Sequence, residues 1–148
     1  MSTDPPALKL VAVRTTETTR AIIGSFFEVY NELGTGFLES VYRNALSVAL
    51  DQLGIANRRE APLDVFFRGA RVGLFRADIL VNDCVVVETK AAHALDRSHE
   101  AQLINYLRAS SIEVGLLLNF GPEAKFRRLV YTNDRKALYL WSQASGDP

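Results

Sequence analysis

Apolar residues recur at helical spacing through the first third of the chain, switch to a period of two in the middle, and then mix both. From about Glu17, the positions Ile22, Ile23, Phe26, Phe27, Val29, Tyr30 and Leu33 fall on one helical face. Gly34 stands where a left-handed C-cap belongs. A second helix is predicted from about Phe37 to Leu53, with Leu38, Val41, Tyr42, Ala45, Leu46, Ala49 and Leu50 on a broad apolar face, and Gly54 ends it. Residues 1–15 carry Pro5 and Pro6 and no clear long period, which predicts a loose arm or a short edge strand.

After Gly54 alternation takes over. Leu63–Phe67 reads as a strand, Arg68-Gly69 as a turn, Val72–Val81 as a longer strand, and Val85–Lys90 as its partner. Helical spacing returns over about Asp96–Ser110. Val114–Phe120 is apolar enough for a central strand covered on both faces. Phe126–Tyr131 and Ala137–Trp141 are expected as further strands. This order predicts an α/β domain on a mixed sheet. The expected organisation is an arm over residues 1–15, one domain over 16–141, and a flexible tail over 142–148. Neither repeats nor low-complexity tracts interrupt it.

Composition changes this picture little. At 148 residues with 48% hydrophobic content, the chain can bury a core without staples. The lone Cys84 excludes an internal disulfide framework and any cysteine-based zinc site. Met1–Leu10 lacks the pattern of a signal peptide, so a cytoplasmic location and no membrane partner are the expectation. Charge matters more. With 17 basic and 17 acidic residues, any footprint for nucleic acid must be local. Candidates are Arg58, Arg59, Arg68, Arg71 and Arg76 around the hairpin, and Lys125, Arg127, Arg128, Arg135 and Lys136 later. A homo-oligomer could gather such modest patches around a channel.

The hairpin carries the candidate chemistry. A two-residue turn at Asn82-Asp83 would set Asp78 opposite Val87 and send Glu88 to the other face. A loop of Asn82, Asp83 and Cys84 instead sets Asp78 opposite Glu88, Arg76 opposite Lys90 and Leu80 opposite Val86. Only this second register, or a bulge with the same effect, lets both acids share an ion, and it is the one expected. Asp78 and Glu88 would then offer oxygens to Mg²⁺ (or Mn²⁺), with the backbone carbonyl of Thr89 as another ligand. Lys90 could orient or deprotonate a water and offset charge on a phosphate. A solvated Glu-x-Lys pair at a strand end explains the spacing equally well.

Two helical features could join this site. Gln102 and Tyr106 are four apart and share a face with His99, so an amide and a phenol could hold a phosphate or base. They would equally suit a surface amide and a half-buried ring. In Gly36-Phe37-Leu38-Glu39-Ser40-Val41-Tyr42, Glu39 and Tyr42 face the same way. Glu39 is either a further acid near the metal or, with Gly36 as N-cap, an N3 carboxylate that helps the first turn. His93 has no second His at ligand spacing and reads as structural. Cys84 has no base near it in sequence.

Taken together, Gly36-x-x-Glu39-x-x-Tyr42, Arg76-Ala77-Asp78, Val87-Glu88-Thr89-Lys90-Ala91, Glu100-Ala101-Gln102-Leu103-x-Asn105-Tyr106-Leu107 and Gly115–Gly121 resemble the small bacterial and archaeal GxxExxY proteins. The resemblance covers about residues 15–132, with the blocks in order. That family is placed in the PD-(D/E)XK nuclease superfamily. The resemblance implies a restriction-endonuclease-like core, a central mixed sheet flanked by helices around a metal site. It places the metal-binding acids at Asp78 and Glu88, the lysine at Lys90, the Gln-x-x-x-Tyr motif at Gln102 and Tyr106, and the helical acid at Glu39. Relatives commonly carry Leu where this chain has Thr89, a position that would use its backbone carbonyl.

The expected function is a Mg²⁺-dependent nuclease hydrolysing phosphodiester bonds, with DNA expected as its substrate ahead of RNA. The competing expectation is a catalytically silent protein that keeps the nuclease fold as an interaction or assembly module. Neutral charge and the lack of an added DNA-binding domain favour the second.

Overall fold

The computed structural model describes residues 6–136. Its elements run α1 (Pro6–Leu33), α2 (Glu39–Gln52), β1 (Asn57–Phe67), β2 (Ala70–Val81), β3 (Val85–Lys90), α3 (Arg97–Ala109), β4 (Val114–Phe120) and β5 (Ala124–Val130), with one 3-10 turn at Asn133–Arg135. The strands form one sheet in the order β1-β2-β3-β4-β5. Among the described strands only β3 and β4 run parallel, joined through α3 as a parallel pair requires. The expected strand Ala137–Trp141 and the tail 142–148 lie outside the described residues.

Three boundaries differ from expectation. α1 starts at Pro6, well ahead of Glu17, so residues 6–15 are helical rather than a loose arm or a strand. Proline suits a first helical position, where its missing N–H has no partner to lose. β1 begins at Asn57, through a charged stretch that gives no alternating signal because the strand lies at the sheet edge and is mostly exposed. α2 starts at Glu39 with Leu38 as N-cap, so Glu39 is not an N3 residue behind a Gly36 cap.

Helices cover both faces of the sheet. On one, Ile22 and Phe26 of α1 and Tyr42, Leu46 and Leu50 of α2 pack against Ile79, Val81, Val85, Val87, Leu116 and Leu118. On the other, Leu103 and Leu107 of α3 pack against Ala77, Leu80, Val86 and Leu117. Each such side chain stabilises the fold by about 1.5–3 kcal/mol through removal from water. β4 is buried along its whole length, as its apolar run predicts. A Cβ on Gly115 would lie 2.9 Å from Cδ1 of Leu103, so a residue without one lets α3 settle onto β4.

One irregularity matters for function. Along β2, Ile79 and Val81 face α1 and α2 while Leu80 faces α3. Strict alternation would put Ala77 with Ile79, yet Ala77 packs with Leu80. The partner strand shows why. Arg59 pairs with Ile79 and Ala61 with Ala77, and between them Glu60 adopts φ 51°, opposite Asp78. Both strands change face at that level.

Candidate metal centre

The β2–β3 hairpin turns through Asn82, Asp83 and Cys84, with Leu80 opposite Val86 and Ile79 opposite Val87. That is the register that carries Asp78 level with Glu88. Regular pairing ends there, and side chains continue the link. The Asp78 N–H donates to Oε1 of Glu88 at 3.2 Å. Oδ2 of Asp78 accepts from the Thr89 N–H at 2.7 Å and from its hydroxyl at 3.0 Å. Arg76, expected opposite Lys90, pairs instead with Pro62 of β1, because β3 ends at Lys90 while the β1–β2 hairpin runs on.

Burial sets the electrostatics. Glu88 is only 7% exposed. Loss of solvent, with the Asp78 carboxylate as the next cause, pushes the Glu88 carboxyl from an ordinary 4.5 up to about 8, and nearby Lys90 offsets this in part. Tyr106 senses the same pair. Its phenol is raised chiefly by burial and then by Glu88 and Asp78, while a hydrogen bond with Gln102 acts the other way. The ring of Tyr106 stacks on Phe75 of β2, centroids 3.8 Å apart. Asp78, Glu88, Lys90, Gln102 and Tyr106 therefore gather where α3 crosses the end of β2 and β3.

Glu39 stands apart. Its signature neighbours have structural duties: Gly36 adopts φ 103°, and buried Tyr42 stacks on Phe120 at 4.3 Å while its hydroxyl donates to Gly34 O at 2.7 Å and accepts from Phe37 N–H. Phe120 closes β4 beside Asn119, the register partner of Lys90, so the first turn of α2 sits at the sheet end where Lys90 lies. Glu39 is exposed there without such a duty. Among the described residues, no three His, Cys, Asp or Glu side chains form a metal-holding group. His99 does not join the site; its Nδ1 accepts the Asp96 N–H in a capping box at the start of α3.

Would a divalent ion suit these donors? Two adjoining carboxylates, one buried and resisting ionisation, are the donor set that a bound cation relieves. Mg²⁺ needs few protein ligands because it keeps several waters. The donors fit.

Phe75 and Glu60 escaped the sequence, and Thr89 has a role beyond the carbonyl expected of it. Thr89 uses its hydroxyl as well as its N–H to fix Asp78, a role open to Thr and closed to Leu. Phe75 backs Tyr106. Glu60 makes the kink that turns Asp78 out of alternation, and a left-handed non-glycine residue leaves no spacing signal. Glu60→Gly is expected to keep the kink, whereas Glu60→Val should destabilise the protein by about 1–2 kcal/mol more, since a β-branched residue resists that conformation. Urea denaturation of both variants checks this.

The segment after Lys90 is held as firmly. Asn119 accepts from Ala92 N–H at 2.9 Å and donates to Ala92 O at 3.0 Å. A Cβ on Gly121 would fall 2.0 Å from that same carbonyl. Gly121→Ala is therefore expected to cost about 2 kcal/mol or more, because backbone must move. A thermal melt with a fall under 2 °C would contradict this.

Of the basic candidates, Lys136 is buried and donates to Ser110 O at 2.8 Å and Ile112 O at 2.9 Å, so it closes the exit of α3 rather than facing a ligand. Arg58, Arg71 and Arg127 pair with Asp83, Asp64 and Glu100.

A mixed sheet between helices, with an acid on one central strand and Glu-x-Lys closing the next, defines a nuclease-type fold. The chain belongs to the PD-(D/E)XK nuclease superfamily, whose family model matches residues 16–129. Among solved structures it is similar to the crystal structure of SSO0001, with a TM-score of 0.50 and 19% identity over 72% of this chain. The chain spans 55% of that protein, and the likeness concerns the fold. No curated protein matches the sequence.

Proposed function

We propose that this protein is a Mg²⁺-dependent (or Mn²⁺-dependent) nuclease that hydrolyses phosphodiester bonds of DNA. The observation that carries the reading is the Asp78 N–H bonded to buried Glu88, with Lys90 beside that pair and Tyr106 close enough to sense both acids. Asp78, Glu88 and the Thr89 carbonyl would hold the ion, and Glu39 supplies a further acid at the same sheet end. When bound, such an ion polarises the phosphate and makes a coordinated water more acidic. Thr89 keeps the Asp78 carboxylate fixed through two hydrogen bonds, so no reorganisation is needed on binding. Lys90 holds water near the phosphate and offsets charge that grows on it. Tyr106, oriented by Gln102 and by the face of Phe75, offers its hydroxyl to a phosphate oxygen.

The test is direct. Purified protein is incubated with single- and double-stranded DNA in Mg²⁺, Mn²⁺ or EDTA, beside Asp78→Ala. Metal-dependent cleavage lost in the variant supports the reading. Absence of cleavage, or cleavage that survives Asp78→Ala, would return the protein to an assembly role on a nuclease fold.

A further inference from the structure

A cleft opens on the α3 side of the sheet, two strands over from Lys90. It measures about 420 Å³, and His93, Leu95, Asn119, Pro122, Lys125 and Arg127 contribute to its lining. The register runs unbroken from β3 through β4 to β5, so alternation decides which side chains share a face. Val86, Leu117 and Leu129 pack on the α3 side. Glu88 and Lys90 on β3, Asn119 on β4, and Arg127 and Lys125 on β5 therefore point the same way. Arg127 does reach Glu100 of α3, and Phe126, between the two cations, packs on the opposite side. Lys90, Asn119 and Lys125 form one row across three strands, and Glu88, Leu117 and Arg127 form the next.

Two strand spacings put the backbone of Lys125 about 10 Å from that of Lys90. Between them Ala92 sits over Asn119, tied by both bonds of its amide. The chain there reads Ala91-Ala92-His93-Ala94, so the divide is low and His93 is its one large side chain. Beyond it the cleft has an apolar wall in Leu95 and Pro122 and a cationic wall in Lys125 and Arg127, while His93 offers an N–H. A nucleotide has the matching chemistry, with sugar and base for the first wall and phosphate for the second. The nearby acids do not close the site. Glu123 meets Lys125 at 3.4 Å and Glu100 meets Arg127 at 3.3 Å, and exposed pairs of this kind contribute little, so a phosphate can take their place.

We propose that this cleft seats a nucleotide of the strand being cut, with Lys125 and Arg127 on its phosphate. In a strand stacked at 3.4 Å per phosphate, that phosphate lies roughly three along from the scissile one. The proposal rests on the nuclease reading for the cut itself, and adds a second anchor on the strand.

Binding is read in EDTA, apart from cleavage, by fluorescence anisotropy of a labelled oligonucleotide, unpaired and as duplex, over a salt series. Lys125→Gln combined with Arg127→Gln should lower the slope of log K against log salt by about 0.7 for the unpaired probe or about 0.9 for the duplex, the value of one phosphate contact. Arg20→Gln combined with Arg128→Gln makes the same change of charge in a groove against α1, on the other side of the sheet, and should leave the slope unmoved. Glu123→Gln frees Lys125 and should tighten binding by up to about fivefold. All of these side chains are exposed, so the fold is not at stake. Equal loss in the two double variants, an unchanged slope in the first, no gain from Glu123→Gln, or no binding of either probe overturns the proposal. If the slopes shift as expected yet Mg²⁺ yields no cleavage, the nuclease reading fails and the nucleotide site stands.

Discussion

Lys90→Met is expected to reduce metal-dependent cleavage by about 100-fold to 10,000-fold, the range that a positioned charged or proton-handling group contributes. The replacement keeps the length of the side chain on a residue that closes β3 half-buried, so the fold should survive. Metal binding should survive as well. Lys90 lowers the pKa of Glu88 only as a minor influence, and it holds neither acid by a hydrogen bond. Asp78→Asn should behave differently. Its oxygen accepts from both groups of Thr89, and loss of its charge removes half of the carboxylate pair, so Mn²⁺ affinity and cleavage should fall together. Isothermal titration with Mn²⁺, run beside cleavage assays, distinguishes the variants. Equal loss of affinity in both would deny Lys90 a role distinct from that of the acids.

Glu88→Gln is expected to make the metal-free protein more stable at pH 8 while removing its response to metal. The folded-state pKa of Glu88, about 8, is raised above its ordinary 4.5. A raised pKa means that the folded state binds the extra proton, so this group's contribution is fully present below pH 4.5 and is lost as pH rises through about 8. The amount is on the order of a few kcal/mol, which for a chain of this size corresponds to roughly 5–10 °C in Tm. In EDTA, wild-type Tm should therefore fall between pH 5 and pH 8.5 more steeply than that of Glu88→Gln, whose amide does not titrate. Mn²⁺ should restore wild-type Tm most at the alkaline end, where no proton competes for the carboxylate, and leave Glu88→Gln unmoved. Parallel melting curves for the two proteins would exclude a strained, buried Glu88.

Legibility followed the physics of each signal. α3 and β4 were readable almost to the residue, because Asp96 caps one and an unbroken apolar run makes the other. The hairpin register was readable from its polar residues, because only a three-residue turn sets Asp78 level with Glu88; apolar side chains on both faces carry no such signal. Asp78, Glu88, Lys90, Gln102 and Tyr106 lie together where α3 crosses the end of β2 and β3, which spacing alone left open. β1 was half hidden, since an exposed edge strand need not alternate. Glu60 was hidden entirely: a glutamate in left-handed backbone looks in sequence like any surface acid. The duty of Tyr42 also lies outside what spacing gives, for it depends on its ring meeting Phe120 of β4.

The kink at Glu60 has a second effect, on the free edge of the sheet. Among the described residues β1 has a strand neighbour on one side only, and a long flat edge is a template for another chain's strand. Here the ladder breaks at Glu60, Pro62 offers no N–H, and a register shift follows between Val65 and Phe66. No uninterrupted row of donors and acceptors remains along the strand. The distortion beside Asp78 thus also works against pairing of this edge with another chain's strand. Straightening it should harm solubility as well as metal binding.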